Sequence, residues 1–328
     1  MSKVKFGVCL PIHAGASAWD YSVNIKDVKS IIKSSEQLGF DSLWVCDHLT
    51  MGKNGCNLEG WTVLSAASQL CQSMQLGTLV LSATHRPPAL LAKMGATLDV
   101  LSDGRLELGI GAGWRRVEQV SYGLPWEESA KNRLQRLVET VEIVKGMWTQ
   151  DVFSYAGRYY NIKDAICNPK PLQKPHPRIM LAGRGEKLLL NVAKYADAWN
   201  IDETTPAEYC EKLEKLRSLC STTGTEFSHI EKSLENFILI TENKEEIMKV
   251  AEWSNWVAAS IQSEYDNKPV AGKLEEMKSK YILGSVKEVT NRIAEYVDAG
   301  VQHFMLYFLD SPSMKSLKSM AEDVIPSL

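Results

Sequence analysis

A chain of 328 residues, 45% of them hydrophobic, is long enough for one large domain or two ordinary ones. Its net charge of −3 gives no basic excess to draw a nucleic acid, and no apolar run approaches the roughly 20 residues of a membrane-spanning helix. Seven scattered cysteines without a CxxC pair, and an N-terminus that runs straight into a strand-like stretch, point to a reduced, cytoplasmic protein with no metal knuckle.

Short apolar runs alternate with stretches of helical period. Residues 4–10 predict a first strand, and 27–38 a helix with Val28, Ile31, Ile32 and Leu38 on one face and Gly39 as its stop. A second strand falls at 42–46, a helix at 61–74 and a third strand at 76–82. Pro88 suits the first turn of a helix that continues over 89–101. Asp103-Gly104 turns the chain into a fourth strand at 105–110, followed by a long helix over 131–148. Regularity then breaks at 151–177, where aromatics and Pro169, Pro171, Pro175 and Pro177 predict an excursion with a small hairpin. Strands five and six are expected at 178–182 and 198–201, with helices at 186–195 and 206–220. Strand seven, at 236–241, leads into a long crossover over 244–281 with more than one helix. Ser285 and Glu288 have capping-box spacing for a helix to 297, strand eight is 302–308, and a helix over 313–325 closes the chain.

Strands that are apolar on both faces and alternate with helices belong to a parallel sheet covered by helices. Eight such units predict one α/β domain over 1–328, a (β/α)8 TIM barrel with an insertion after the fourth βα unit and a long crossover after strand seven. The rival is an open doubly wound sheet. Its support, Gly109-Ile110-Gly111-Ala112-Gly113, has GxGxG and not GxGxxG spacing and lies on the fourth strand.

In a barrel, the chemistry sits where strands end. Those ends carry His13, Asp47-His48, Thr84-His85, Gly111 to Arg115, Gly183-Arg184-Gly185 and Asp202-Glu203, whereas His176, His229 and His303 fall elsewhere. Histidine exchanges a proton near neutral pH and a nearby carboxylate can fix its tautomer, so His48 is the candidate acid/base and Asp47 its orienter. A capping aspartate beside a surface histidine fits the same positions. Glu59, on the loop after strand two, is a weaker second candidate, and a helix-start carboxylate fits it better. The two glycine segments would let backbone amides approach a phosphorylated cofactor, and the second opens a helix; either could also be a plain turn. A metal-dependent barrel hydrolase using His13, His48 and His85 would want an HxH on strand one and a bridging lysine, and neither is evident, so no metal is expected.

Taken together, the stretches 40–48, 77–80, 88–93, 98–105, 109–114 with Glu118, 157–160, 169–171, 182–185 and 197–200 resemble the luciferase-like superfamily, and within it the coenzyme-F420-dependent branch. The resemblance is dense over 4–202 and loose beyond. It implies an oxidoreductase transferring hydride between the deazaflavin and an unidentified small organic substrate. It places the cofactor ring beside Asp47 and His48, and a non-prolyl cis peptide at Leu79-Val80 bulging behind that ring. It places the phosphate end of the cofactor on the backbone of Gly111, Ala112, Gly113 and Trp114 and of Ala182, Gly183, Arg184 and Gly185. Arg115, Arg116 and Arg184, adjacent to these segments, suit a carboxylate-bearing tail. Trp114 stands where sugar-phosphate dehydrogenases of this branch carry a glutamate, which argues against that substrate class and for an apolar wall or a packing residue. The same resemblance admits an FMN-dependent monooxygenase supplied by a partner flavin reductase, and it is compatible with a homodimer.

Overall fold

A computed structural model describes residues 3–19, 21–262 and 274–328. The apolar runs become strands β1 (Lys5–Cys9), β2 (Ser42–Val45), β3 (Gln75–Thr78), β4 (Leu81–Ser82) and β5 (Leu106–Gly111). After a hairpin, β6 (Phe153–Ala156) and β7 (Asn161–Ala165), the series resumes with β8 (Arg178–Ala182), β9 (Ala198–Asp202), β10 (Glu231–Ile240), β11 (Ile282–Gly284) and β12 (His303–Phe308). The parallel neighbours run β10-β12-β1-β2-β3-β5-β8-β9, and β9 pairs back onto β10. That closure makes an eight-stranded (β/α)8 barrel. β4 continues the place of β3 against β5, and β11 pairs with the far end of β10, beyond the stretch held by β9.

Amphipathic helices cover the outside: α1 (Ile25–Gln37), α2 (Gly60–Ala67), α3 (Pro88–Leu101), α4 (Arg116–Ser121), α5 (Ala130–Thr149), α6 (Glu186–Tyr195) and α7 (Pro206–Thr223). They are followed by α8 (Lys244–Gln262), α9 (Leu274–Lys280), α10 (Val286–Asp298) and α11 (Lys315–Ser319). Among the described residues no helix is long and apolar enough to cross a membrane. The main core lies between this layer and the strands, with Val28, Ile31 and Ile32 of α1 buried as their spacing predicts. A second, smaller core fills the barrel itself around Trp44. A Cβ on Gly7 or on Gly77 would overlap the Trp44 ring, so glycine on the two flanking strands is what admits an indole inside the barrel.

Several boundaries differ from expectation, each for a tertiary reason. The helix expected over 61–74 ends at Ala67, because the Arg105 guanidinium takes the carbonyls of Ser68 and Met74 while Glu36 takes the amides of Gln72 and Ser73. The third strand is interrupted by the cis peptide at Leu79-Val80, which lies where the resemblance implied it. Strand seven starts five residues early, at Glu231, since Glu231, Ser233 and Glu235 break the apolar pattern yet sit inside the barrel. Helix α4 has little apolar pattern and was not expected. The excursion does hold an antiparallel hairpin, and the capping box at Ser285 and Glu288 forms. The crossover holds α8 and α9, with 263–273 outside the described residues. The closing helix is α-helical only over Lys315–Ser319 and widens into a π-helical turn at Met320–Val324.

Candidate active site

At the C-terminal ends of the strands a cavity opens that is lined by His13, Cys46, His48, Leu79, Glu235 and Tyr307, with Phe237 and Trp253 as further aromatic wall. Strand alternation explains the membership. Successive side chains point to opposite faces, so Cys46 and His48 face the cavity while Asp47 between them faces outward.

The expected partnership of Asp47 with His48 is therefore not formed. Asp47 is buried and holds Arg86 with both oxygens, at 2.8 and 2.9 Å. It also accepts from His85 Nδ1 at 3.0 Å and from the Ser82 amide at 3.1 Å. Burial works to raise its carboxyl, but the bonds and charges of His85 and Arg86 outweigh that and hold it below the usual range. Asp47 thus ties the end of β2 to the loop between β4 and α3. Glu59, the other carboxylate considered, caps α2 through the amides of Trp61 and Thr62 and shares Arg86.

The carboxylate that orients His48 is Glu118, supplied by α4. Its Oε2 lies 2.9 Å from His48 Nδ1, and its Oε1 accepts from the amides of Leu49 and Thr50, each at 2.9 Å. Burial raises the Glu118 carboxyl, but the His48 bond and charge, the Thr50 amide and Arg115 bring it below the ordinary carboxylate range. It is therefore acceptor-only, so Nδ1 of His48 is the donor, and in the neutral imidazole Nε2 bears the lone pair. No partner for Nε2 is found among the described residues, and the ring lines the cavity. Trp114 packs edge-on against it, with ring centroids 5.4 Å apart, so this tryptophan serves as a wall for the histidine. Sequence reasoning placed Glu118 only in a family motif. Its pairing with a residue 70 positions away leaves no local signal.

His13, also in the wall, is brought to about 4 by burial and stays neutral. The Cys46 thiol is pushed up to about 12 by burial, so it is no nucleophile. His13, His48 and His85 bond to the Ala14 carbonyl, Glu118 and Asp47 in turn. Among the described residues no group of three His, Cys, Asp or Glu side chains could hold a metal ion.

A flavin-sized ring with a phosphate finds matching features. The bulge brings Leu79 into the cavity wall, while Val80 rests against Gly109 and Gly111 of β5, where a Cβ on Gly111 would come within 2.9 Å of it. Beyond β5, Ala112 and Gly113 remain partly open, and Gly113 has φ 76°. Beyond β8, Ala182 is half-buried, Gly183 has φ 135°, and exposed Gly185 heads α6 without a side-chain cap. The first-turn amides of α6 are thus free of a capping side chain, an arrangement that suits a phosphate. Arg184 is exposed and paired with Asp202 at 2.6 Å. Arg115 donates to the Thr50 carbonyl at 3.4 Å and lies 3.5 Å from Glu118, and Arg116 pairs with Glu128.

Comparison with known proteins agrees with this geometry. The family model described as luciferase-like monooxygenase matches residues 4–303. An F420-dependent glucose-6-phosphate dehydrogenase of Amycolatopsis mediterranei is 28% identical over 92% of this chain and 94% of its own. Among solved structures, an F420-dependent secondary alcohol dehydrogenase in complex with an F420-acetone adduct superposes with a TM-score of 0.84 at 20% identity, covering 99% of both chains. A long-chain alkane monooxygenase superposes with a TM-score of 0.82 at 16% identity, over 100% of this chain and 91% of that one.

Proposed function

The chain belongs to the luciferase-like monooxygenase family, and on that premise we propose that it is an F420-dependent oxidoreductase moving hydride between the deazaflavin and a small organic substrate. The choice of F420 over FMN is supported by the F420-dependent relatives that align along nearly the whole chain. When bound, the deazaflavin supplies the carbon that gives or takes the hydride. Leu79 and Val80 would hold its ring, and the backbone of Gly111 to Trp114, together with Ala182 to Gly185 at the N-terminus of α6, would hold its phosphate.

The protein's own part is to move a proton. With Nδ1–H fixed on Glu118, Nε2 of His48 accepts the hydroxyl proton of an alcohol substrate as it is oxidised, and the imidazolium returns a proton to the oxygen in the reverse direction. Glu118 stabilises that imidazolium without being protonated itself. The aromatic wall of Phe237, Trp253 and Tyr307 keeps bulk water from the reacting atoms. The observation that carries this reading is that Nδ1 of His48 is held by a buried carboxylate while its ring faces the cavity beside Leu79.

Competitive fluorescence titration tests the cofactor. F420 is expected to bind about tenfold more tightly than FMN or better, a gap of ~1.4 kcal/mol. The reverse order would move the chain to the oxygen-using members of its family, served by a partner flavin reductase.

A further inference from the structure

Across the cavity from His48 stands a second titratable group that the proton-transfer scheme leaves unused. Glu235 faces the interior of β10, in register with Asp202 of β9 and Met305 of β12. Its carboxyl makes no hydrogen bond among the described residues. The contrast with the rest of the strand is sharp: Glu231 and Ser233, the other polar inward-facing residues below it, are both bonded. Glu235 is half-buried, and a carboxyl without a protein partner that lines a cavity is placed to bond whatever enters it.

We propose that the Glu235 carboxyl is a substrate-binding group, selecting a compact, uncharged substrate that carries an oxygen acceptor across an apolar body from its reacting carbon. The inference rests on the mouth being the substrate site. The cavity is about 140 Å³, and with the ring against Leu79 the apolar body's surroundings are Phe237, Trp253 and Tyr307. The groups facing Glu235 are Asp202 and Glu203 at the end of β9, Cys9 of β1, Cys46 beside β2 and Tyr307 of β12. Burial first, then the Asp202 and Glu203 carboxylates, push its carboxyl well above the usual range, toward the protonated form that offers an O–H. An anion would meet the Glu235 carboxyl, with the Asp202 and Glu203 carboxylates behind it. Among the described residues no lysine lines the cavity, and Arg115 is engaged by Glu118 and the Thr50 carbonyl. A phosphate ester or carboxylate is therefore refused.

Three small probes read this directly by ligand-observed NMR titration of the full chain: 1,4-cyclohexanedione, cyclohexanone, and 4-oxocyclohexanecarboxylate. The wild type is expected to bind the dione about tenfold more tightly than either of the others, the scale of one well-placed hydrogen bond. Glu235→Gln, whose amide still donates, keeps the preference within about threefold, and Glu235→Ala abolishes it. In the wild type the preference fades as pH rises and the carboxyl ionises; in Glu235→Gln it does not. F420 affinity is measured on all three proteins and is expected to be unchanged, so failure of the cofactor assignment would leave the probe preference standing. Equal binding of dione and cyclohexanone, no binding of the dione, tighter binding of the carboxylate, or a preference that survives Glu235→Ala overturns the proposal.

Discussion

Two histidine–carboxylate pairs, one at the N-terminal end of the barrel and one in the cavity at its C-terminal end, are built to opposite purposes. At the N-terminal end, His303 Nδ1 lies 2.9 Å from Glu231, and Nε2 is 2.7 Å from Ser42 Oγ, which also accepts from the Trp44 indole. Lys5 and Arg178 close on the same carboxylate at 2.7 and 3.0 Å. At the C-terminal end, His48 has the same Nδ1–carboxylate distance but its other nitrogen faces a cavity. The His303 side chain is 1% exposed and that of His48 20%. A buried pair with every valence filled is a strut, whereas one with a single lone pair left open is a reagent. What separates them is the number of neighbours, since the residue types are the same.

The largest expected effect falls on the strut. Glu231→Gln removes the carboxylate on which Lys5, Arg178 and His303 converge, leaving the buried Glu107 carboxyl as the acid beside Arg178, and should lower stability by about 3 kcal/mol in chemical denaturation. Turnover per folded molecule should not change; a loss of turnover there would erase the distinction between the two ends. Next comes His48→Ala, expected to lower kcat roughly 100-fold, the scale for losing a general acid/base, with F420 affinity and melting temperature little altered. Unaffected turnover on a true substrate would remove His48 as the proton carrier.

Glu118→Gln sharpens the comparison, because it keeps the shape and removes the charge. We expect kcat to drop about tenfold, the scale for a partner that orients a working histidine, and the 15N shifts of His48 to report a changed tautomer balance. If only stability falls, Glu118 is a second strut. The smallest effect concerns pH. His13, brought to about 4 against an ordinary 6.5, binds fewer protons folded than unfolded. Its contribution to stability is therefore present above 6.5 and is lost as pH falls toward about 4. Glu231, held low by His303 and Arg178 against the opposing effect of burial, adds a loss at still lower pH. Denaturation midpoints of wild type and His13→Asn should converge on acidification from 6.5 to 4; parallel curves would mean that His13 is not held neutral.

The sequence by itself determined the barrel. Its eight βα units are written in local pattern: the apolar face of α1, proline at the start of α3, the Ser285 capping box, and the Asp103-Gly104 turn, where both residues take positive φ. Strand ends then follow from topology, which is how His48 and the glycine segments became candidates. Tertiary structure alone decided who partners whom. Side chains alternate along a strand, so Asp47, adjacent in sequence to His48, is turned away to Arg86, and the orienting carboxylate arrives from α4. The polar half of β10 was illegible for the same kind of reason. Glu231 reads as a surface residue until Lys5, Arg178 and His303 from three other strands converge on it, and Glu235 gains meaning only from the cavity it faces. Helical and strand periods are set by covalent geometry and show in any short window of sequence. Ion pairs and cavities arise from segments far apart in the chain, and only closing the barrel brings them together.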